Sequence, residues 1–154
     1  DFKTFLKLSP PLRLENDRIG LVEGIKSGLI DVIVSDHTPE DEESKRLPFA
    51  QAATGAIGIE TLLPLALEMY HNESLTLSKI IETLTINPAK ILKIHKGTLK
   101  KGSEADICVF DLNKPWIVSA NNLKSKSKNS AIEGRKLQGK VFMTFLNGEL
   151  VFKS

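Results

Sequence analysis

The chain has 154 residues, within the range of a single domain, and its 21 Lys and Arg against 19 Asp and Glu leave a net charge of +2. So even a balance carries no electrostatic footprint for nucleic acid or an anionic membrane surface, and no apolar run approaches the ~18 residues of a transmembrane helix. A single cysteine, Cys108, excludes an internal disulfide and fits a reducing, cytoplasmic setting, while a start at Asp1-Phe2-Lys3, without Met or a signal pattern, reads as a fragment or a processed chain.

In chain order, Phe5, Leu6 and Leu8 predict a short strand that Pro10-Pro11 must end, because neither proline offers an N–H to a ladder. Asn16 or Asp17 caps a predicted helix with Ile19, Leu21, Val22 and Ile25 at helical spacing, closed by Gly28. Leu29 to Ser35 returns as a strand whose largely β-branched run, Val32 to Ser35, suits burial on both faces of an α/β sheet. Strand, helix and strand make a βαβ unit with parallel strands.

The run stops at Asp36-His37, an acid and an imidazole at a strand tip. Such an acid is either a site residue or the cap of the next turn. Beyond Pro39, the charged stretch from Glu40 to Arg46 reads as a solvated loop.

A helix is predicted from near Ile59, with Ile59, Leu62, Leu63, Ala66, Met69 and Tyr70 on one apolar face and Pro64 in its first turn. A second helix carries Leu77, Ile80, Ile81 and Leu84. A third opens on Asn87 as cap with Pro88 in the first helical position, and carries Ile91 and Leu92. After Gly97 the pattern turns to β: 105–111, 115–118, 140–146 and 149–152 read as strands, and Asn147-Gly148 is a hairpin signal. Lys124, Lys126 and Lys128 between them read as a solvated face.

Five stretches in order, Lys7-Leu8-Ser9-Pro10-Pro11-Leu12-Arg13, Ser35-Asp36-His37-Thr38-Pro39, Gly55-Ala56-Ile57-Gly58-Ile59-Glu60-Thr61, Leu84-Thr85-Ile86-Asn87-Pro88-Ala89 and Gly97 through Asp106, resemble the C-terminal part of the dihydroorotases, in the amidohydrolase superfamily. The resemblance covers nearly the whole chain. It implies an α/β fold: residues 1–96 would be the last strands and helices of a (β/α)8 barrel, and 97–154 part of a small β-sandwich. Catalytic groups of such a barrel sit at the C-terminal ends of its strands, where Asp36 falls.

The activity so implied is the reversible closure of N-carbamoyl-L-aspartate to dihydroorotate in pyrimidine biosynthesis, with one or two zinc ions to activate water. By resemblance Asp36 is a metal ligand and the proton-carrying carboxylate, and Ser9, Glu40, Thr54 and Gly55 occupy substrate-binding positions. His37, His71 and His95 are the only histidines, so most zinc ligands are expected outside this chain. His37 is expected to play a supporting part, and His71 and His95 to be surface residues.

Two positions depart from the family pattern. Many relatives read Asp-His-x-Pro-His, where this chain has Glu40, an anion facing a dianionic substrate; the position of Ser9 is commonly Asn, which has both a donor and an acceptor. These departures motivate an alternative, a non-catalytic dihydroorotase-like subunit assembling with aspartate carbamoyltransferase. A hydantoinase or allantoinase keeps the fold and changes the ring, against which Pro10-Pro11-Leu12-Arg13 argues. The expected partners are a small-molecule substrate and further copies of the chain in a homo-oligomer, and a partial barrel leaves apolar surface that should pack against other protein.

Overall fold

A computed structural model describes residues 2–154. Its helices are α1 (Glu15–Ser27), α2 (Glu42–Arg46), α3 (Leu62–His71), α4 (Leu77–Leu84) and α5 (Ile86–Leu92), and its strands are β1 (Ile107–Ile117), β2 (Lys136–Leu146) and β3 (Glu149–Lys153). All five helices precede residue 97 and all three strands follow it. The chain has α/β content with one small sheet, in the order β1-β2-β3.

The residues form two compact units interleaved along the sequence. One comprises the stretch up to Ile19, Val34–Leu62 and Ile117–Lys136; the other comprises Gly20–Ile33, Leu63–Trp116 and Leu137–Ser154. The second unit holds an apolar core in which Ile25, Ala66, Leu75 and Ile80 are buried, with Val22, Ile30, Ile33, Met69 and Leu84 packed against them.

Where the sequence carries strong local signals the elements form as expected. Gly28 follows α1 at φ +82, the left-handed conformation that glycine adopts without a steric penalty. α4 forms as expected, and Thr76, not singled out in the sequence, caps it, its side chain accepting from the Lys79 N–H at 3.3 Å. Asn147 and Gly148, at φ 50 and 83, make the two-residue turn whose twist matches antiparallel strands. Leu146 accordingly pairs with Glu149 and Phe145 with Leu150, before a register shift between Thr144 and Phe145.

Other expectations are corrected. Thr4–Leu6 is a 3-10 turn, so no strand forms at 5–8. Residues 29–36 enter no ladder among the described residues; only His37 makes a parallel bridge, to Ala56. A strand is held by its neighbours, and β-branched sequence alone supplies none.

Glu42–Arg46 is a helix rather than a loop, since the Asp41 side chain accepts from the Ser44 N–H at 2.7 Å and caps it. α5 begins at Ile86, two residues earlier than expected, and Asn87, instead of capping it, donates its side-chain N–H to the Asp31 carbonyl at 3.0 Å. β1 runs unbroken through Pro115, which the edge position of β1 tolerates.

The buried residues of α3 are Pro64, Ala66 and Leu67, so Leu67 lies off the stripe read from the sequence. Gly139 explains it: a Cβ there would stand 2.5 Å from Leu67 Cδ1. The missing side chain leaves the space that Leu67 fills, and the Trp116 indole N–H donates to the Gly139 carbonyl at 3.0 Å on the same strand pair.

Candidate active site

Asp36 is exposed and its backbone is left-handed, at φ 43. A non-glycine residue holds that conformation only where its neighbours are fastened. The Thr38 N–H donates to the Ala56 carbonyl at 2.9 Å, and the Thr38 hydroxyl donates to the Asp36 carbonyl at 3.2 Å. The half-buried His37 accepts at Nδ1 from the Gly58 N–H at 3.1 Å and the Ile59 N–H at 3.4 Å. Through Nδ1 the imidazole braces the turn at Gly58. This is the supporting part expected of it.

The segment facing this tip is Ala53-Thr54-Gly55. Gly55 is buried at φ +141, and a Cβ there would lie 2.7 Å from Thr38 Cγ2 and 2.9 Å from the Thr38 carbonyl oxygen. Only glycine permits the two segments to approach so closely. The Gly55 N–H donates to the Lys7 carbonyl at 3.0 Å, which ties this segment to the stretch that leads into Ser9. Ser9 and Thr54 are exposed.

Two residues that the sequence did not single out organise the surroundings. Asn129, only 2% exposed, accepts at Oδ1 from the Glu40 N–H at 3.3 Å and donates from Nδ2 to the Gly55 carbonyl at 3.3 Å. Its own carbonyl accepts from the Ile57 N–H at 3.3 Å, and the Ser127 hydroxyl contacts both Asn129 Oδ1 and the Glu40 carbonyl. Asn129 thus joins the Glu40 and Gly55 segments through a side chain distant in sequence. No local pattern announces it.

Lys45 is the other, at 0% exposure. Its ammonium donates to the carbonyls of Ala53 and Gly55, both at 2.9 Å, and of Lys7 at 3.4 Å. Burial pushes its pKa below the ordinary lysine value; the Glu40 charge pulls it back up and the Lys7 charge pushes it further down. Glu40 is half-buried and has a cation as electrostatic neighbour, the condition under which its charge is compensated.

Three of the site residues read from the sequence fall on one hydrogen-bonded framework, Asp36 through Thr38 and Ala56, Gly55 through Lys7 and Asn129, and Glu40 through Asn129, whereas Ser9 and Thr54 make no hydrogen bond of their own among the described residues. A nearby cleft of 860 Å³, lined by Phe2, Phe5, Glu42, Lys128, Ser130 and their neighbours, includes none of Asp36, Ser9, Glu40, Thr54 and Gly55. Among the described residues no group of three or more His, Cys, Asp and Glu could hold a metal ion. His71 and His95 belong to the other unit. His95 is exposed as expected, whereas His71 is half-buried, with Nε2 enclosed and without a partner among the described residues.

Residues 8–151 match the model of a family described as the amidohydrolase family. Curated proteins named dihydroorotase are similar over almost the whole chain. That of Ehrlichia chaffeensis (strain ATCC CRL-10679 / Arkansas) is 46% identical over 148 residues, 96% of this chain and 33% of its own length; that of Aquifex aeolicus (strain VF5) is 46% identical over 147 residues, 96% and 35%. Among solved structures, L-hydantoinase (dihydropyrimidinase) from Arthrobacter aurescens matches with TM-score 0.88 at 34% identity, covering 99% of this chain and 35% of its own. Dihydropyrimidinase from Brevibacillus agri NCHU1002 matches with TM-score 0.90 at 25% identity, covering 97% and 34%. The chain spans about a third of the length of the relatives it matches.

Proposed function

The chain belongs to the amidohydrolase family, and from that premise we propose that the full-length protein is a metal-dependent dihydroorotase of which this chain is the C-terminal part. The observation that carries the reading is the identity of 46% to dihydroorotases over nearly every residue of the chain. In this reading residues 1–96 complete a (β/α)8 barrel whose other strands lie elsewhere in the protein, and 97–154 contribute to a β-sandwich. The strandless Val32 to Ser35 run is then a barrel strand awaiting its neighbours.

In the hydrolytic direction, water adds to the ring amide carbonyl of dihydroorotate, the ring C–N bond breaks, and a proton from the water ends on the released nitrogen. Asp36 is the carboxylate that takes and returns that proton, and its exposure on a braced tip suits an acid that must reach solvent and substrate in turn. Thr54 offers its backbone to the substrate, with Gly55 beside it and Ser9 and Glu40 at its edge. Zinc is the cofactor the family implies, and it needs three or more ligands. This chain's described residues do not make such a group, so Asp36 is one ligand and the rest belong outside it.

The test is the interconversion of dihydroorotate and N-carbamoyl-L-aspartate by the metal-loaded full-length protein. Asp36→Asn should lower kcat/KM by about 10²–10⁴-fold, the range for a positioned proton carrier. Equal rates for the two proteins remove Asp36 from the mechanism. The 34% identity to an L-hydantoinase supports a second reading in which the ring is a hydantoin, and turnover of hydantoin without dihydroorotate would establish it. Inactivity on both with retained binding to aspartate carbamoyltransferase would instead fit a scaffold subunit, the role that Glu40 and Ser9 motivate. Cytoplasmic residence and homo-oligomerisation accompany the proposal.

A further inference from the structure

Lys7 and Lys45 divide the carbonyls of one loop between them. The Lys7 ammonium donates to Phe49 at 2.9 Å, Ala50 at 3.1 Å and Ala52 at 2.8 Å, and it lies 5.5 Å from the centre of the Phe49 ring. Lys45 takes the next two acceptors, Ala53 and Gly55, and closes back onto the Lys7 carbonyl. An ammonium has three donors, so both cations are saturated by main-chain oxygens. Neither makes a salt bridge among the described residues.

The pattern leaves one gap. The Ala53 N–H is taken by the Ser44 carbonyl at 3.0 Å and its carbonyl by Lys45. The Gly55 N–H is taken by the Lys7 carbonyl, and its carbonyl by Lys45 and Asn129. Thr54, between them and exposed, makes no hydrogen bond among the described residues. The Thr54 backbone donor and acceptor thus stand untaken between two residues whose every backbone polar group is occupied. A cyclic amide offers a complementary donor and acceptor, and a loop held in place before binding loses little freedom on binding.

We propose that Lys45 and Lys7 are positioning residues, a pair of cations that clasp Phe49 to Gly55 so that the Thr54 backbone is preformed for the ring of the substrate. This rests on the dihydroorotase reading for the identity of the ring and not for the clasp.

The experiment uses the full-length, metal-loaded protein with Lys45→Met, which keeps the aliphatic stem and removes all three donors, and Lys7→Met, which does so at the half-buried end. Amide hydrogen exchange of a peptide spanning 49–57 is followed beside peptides of α3 and α4, and steady-state kinetics are taken with dihydroorotate. Both variants should exchange the loop amides about tenfold faster or more while α3 and α4 keep wild-type rates. KM should rise about tenfold, with kcat within about threefold of wild type, the signature of lost binding rather than lost chemistry.

Wild-type exchange in the loop, acceleration shared equally with α3 and α4, or an unchanged KM each overturn the proposal. Should Lys45→Met fail to accumulate, Lys7→Met carries the same outcomes. A wild-type protein that does not turn over dihydroorotate refutes the activity reading alone, and the exchange measurement then decides the clasp by itself.

Discussion

Lys45 keeps a charge out of water because three carbonyl oxygens stand where three water molecules would. An isolated buried ammonium would lose its proton; one surrounded by dipoles, with Glu40 in electrostatic reach, retains it at a lowered pKa. The opposite situation holds at Asp106. Its carboxylate accepts from the Asn147 N–H at 2.8 Å and from the Lys96 ammonium at 2.5 Å, and these bonds, the backbone one first, hold its pKa below the ordinary carboxylate value of 3.8.

A carboxyl with a lowered folded-state pKa contributes stability that is present above the unfolded value and is lost as pH falls through the folded one. Thermal melts of the full-length protein from about pH 6 to about pH 2 should therefore fall off below about pH 4. Asp106→Asn should flatten that part of the profile. An unchanged acid limb would mean that the Lys96 and Asn147 contacts do not persist in solution.

At the scale of elements, α2 is five residues long and is not expected to persist without its cap. Asp41 supplies the cap, Glu42 and Glu43 follow in the first turn, and Lys45 and Arg46 close the last, each sign at the helix end that favours it. Asp41→Ala should cost about 1 kcal/mol, read as a lowered denaturant midpoint in the full-length protein. Because α2 carries Lys45, the same change should also speed amide exchange at Ala53 and Gly55. Gly28 after α1 and the hairpin at Asn147-Gly148 were legible in the sequence because their causes are local. α2 was not, since a run of charges that caps a helix and one that is merely solvated read alike.

At the scale of the whole molecule, the described residues leave large apolar side chains in water: Leu14 is 77% exposed, Leu29 84% and Val34 72%. α1 buries only Gly24 and Ile25 and exposes Ile19 and Leu21. Apolar surface of this extent marks an interface. Expressed alone, the 154-residue chain should self-associate, sedimenting above its 17.0 kDa monomer mass and binding a hydrophobic dye. A dispersed monomer that melts cooperatively would contradict this, and in the full-length protein the same surfaces should resist exchange and labelling.

By itself the sequence determined helices where α1, α3, α4 and α5 stand, the glycine that ends α1, the late β segment, the family, and Asp36 as the acid to test, since each depends on residues close in the chain or on motifs in a fixed order. Tertiary structure alone decided the buried cation at Lys45, the bridging amide of Asn129, the place of Leu67 over Gly139, and the absence of a ladder at Val32 to Ser35. Each of these depends on what lies across space from the residue: carbonyls that converge on an ammonium, a missing Cβ that admits a side chain, a neighbouring strand that a β-branched run cannot supply for itself.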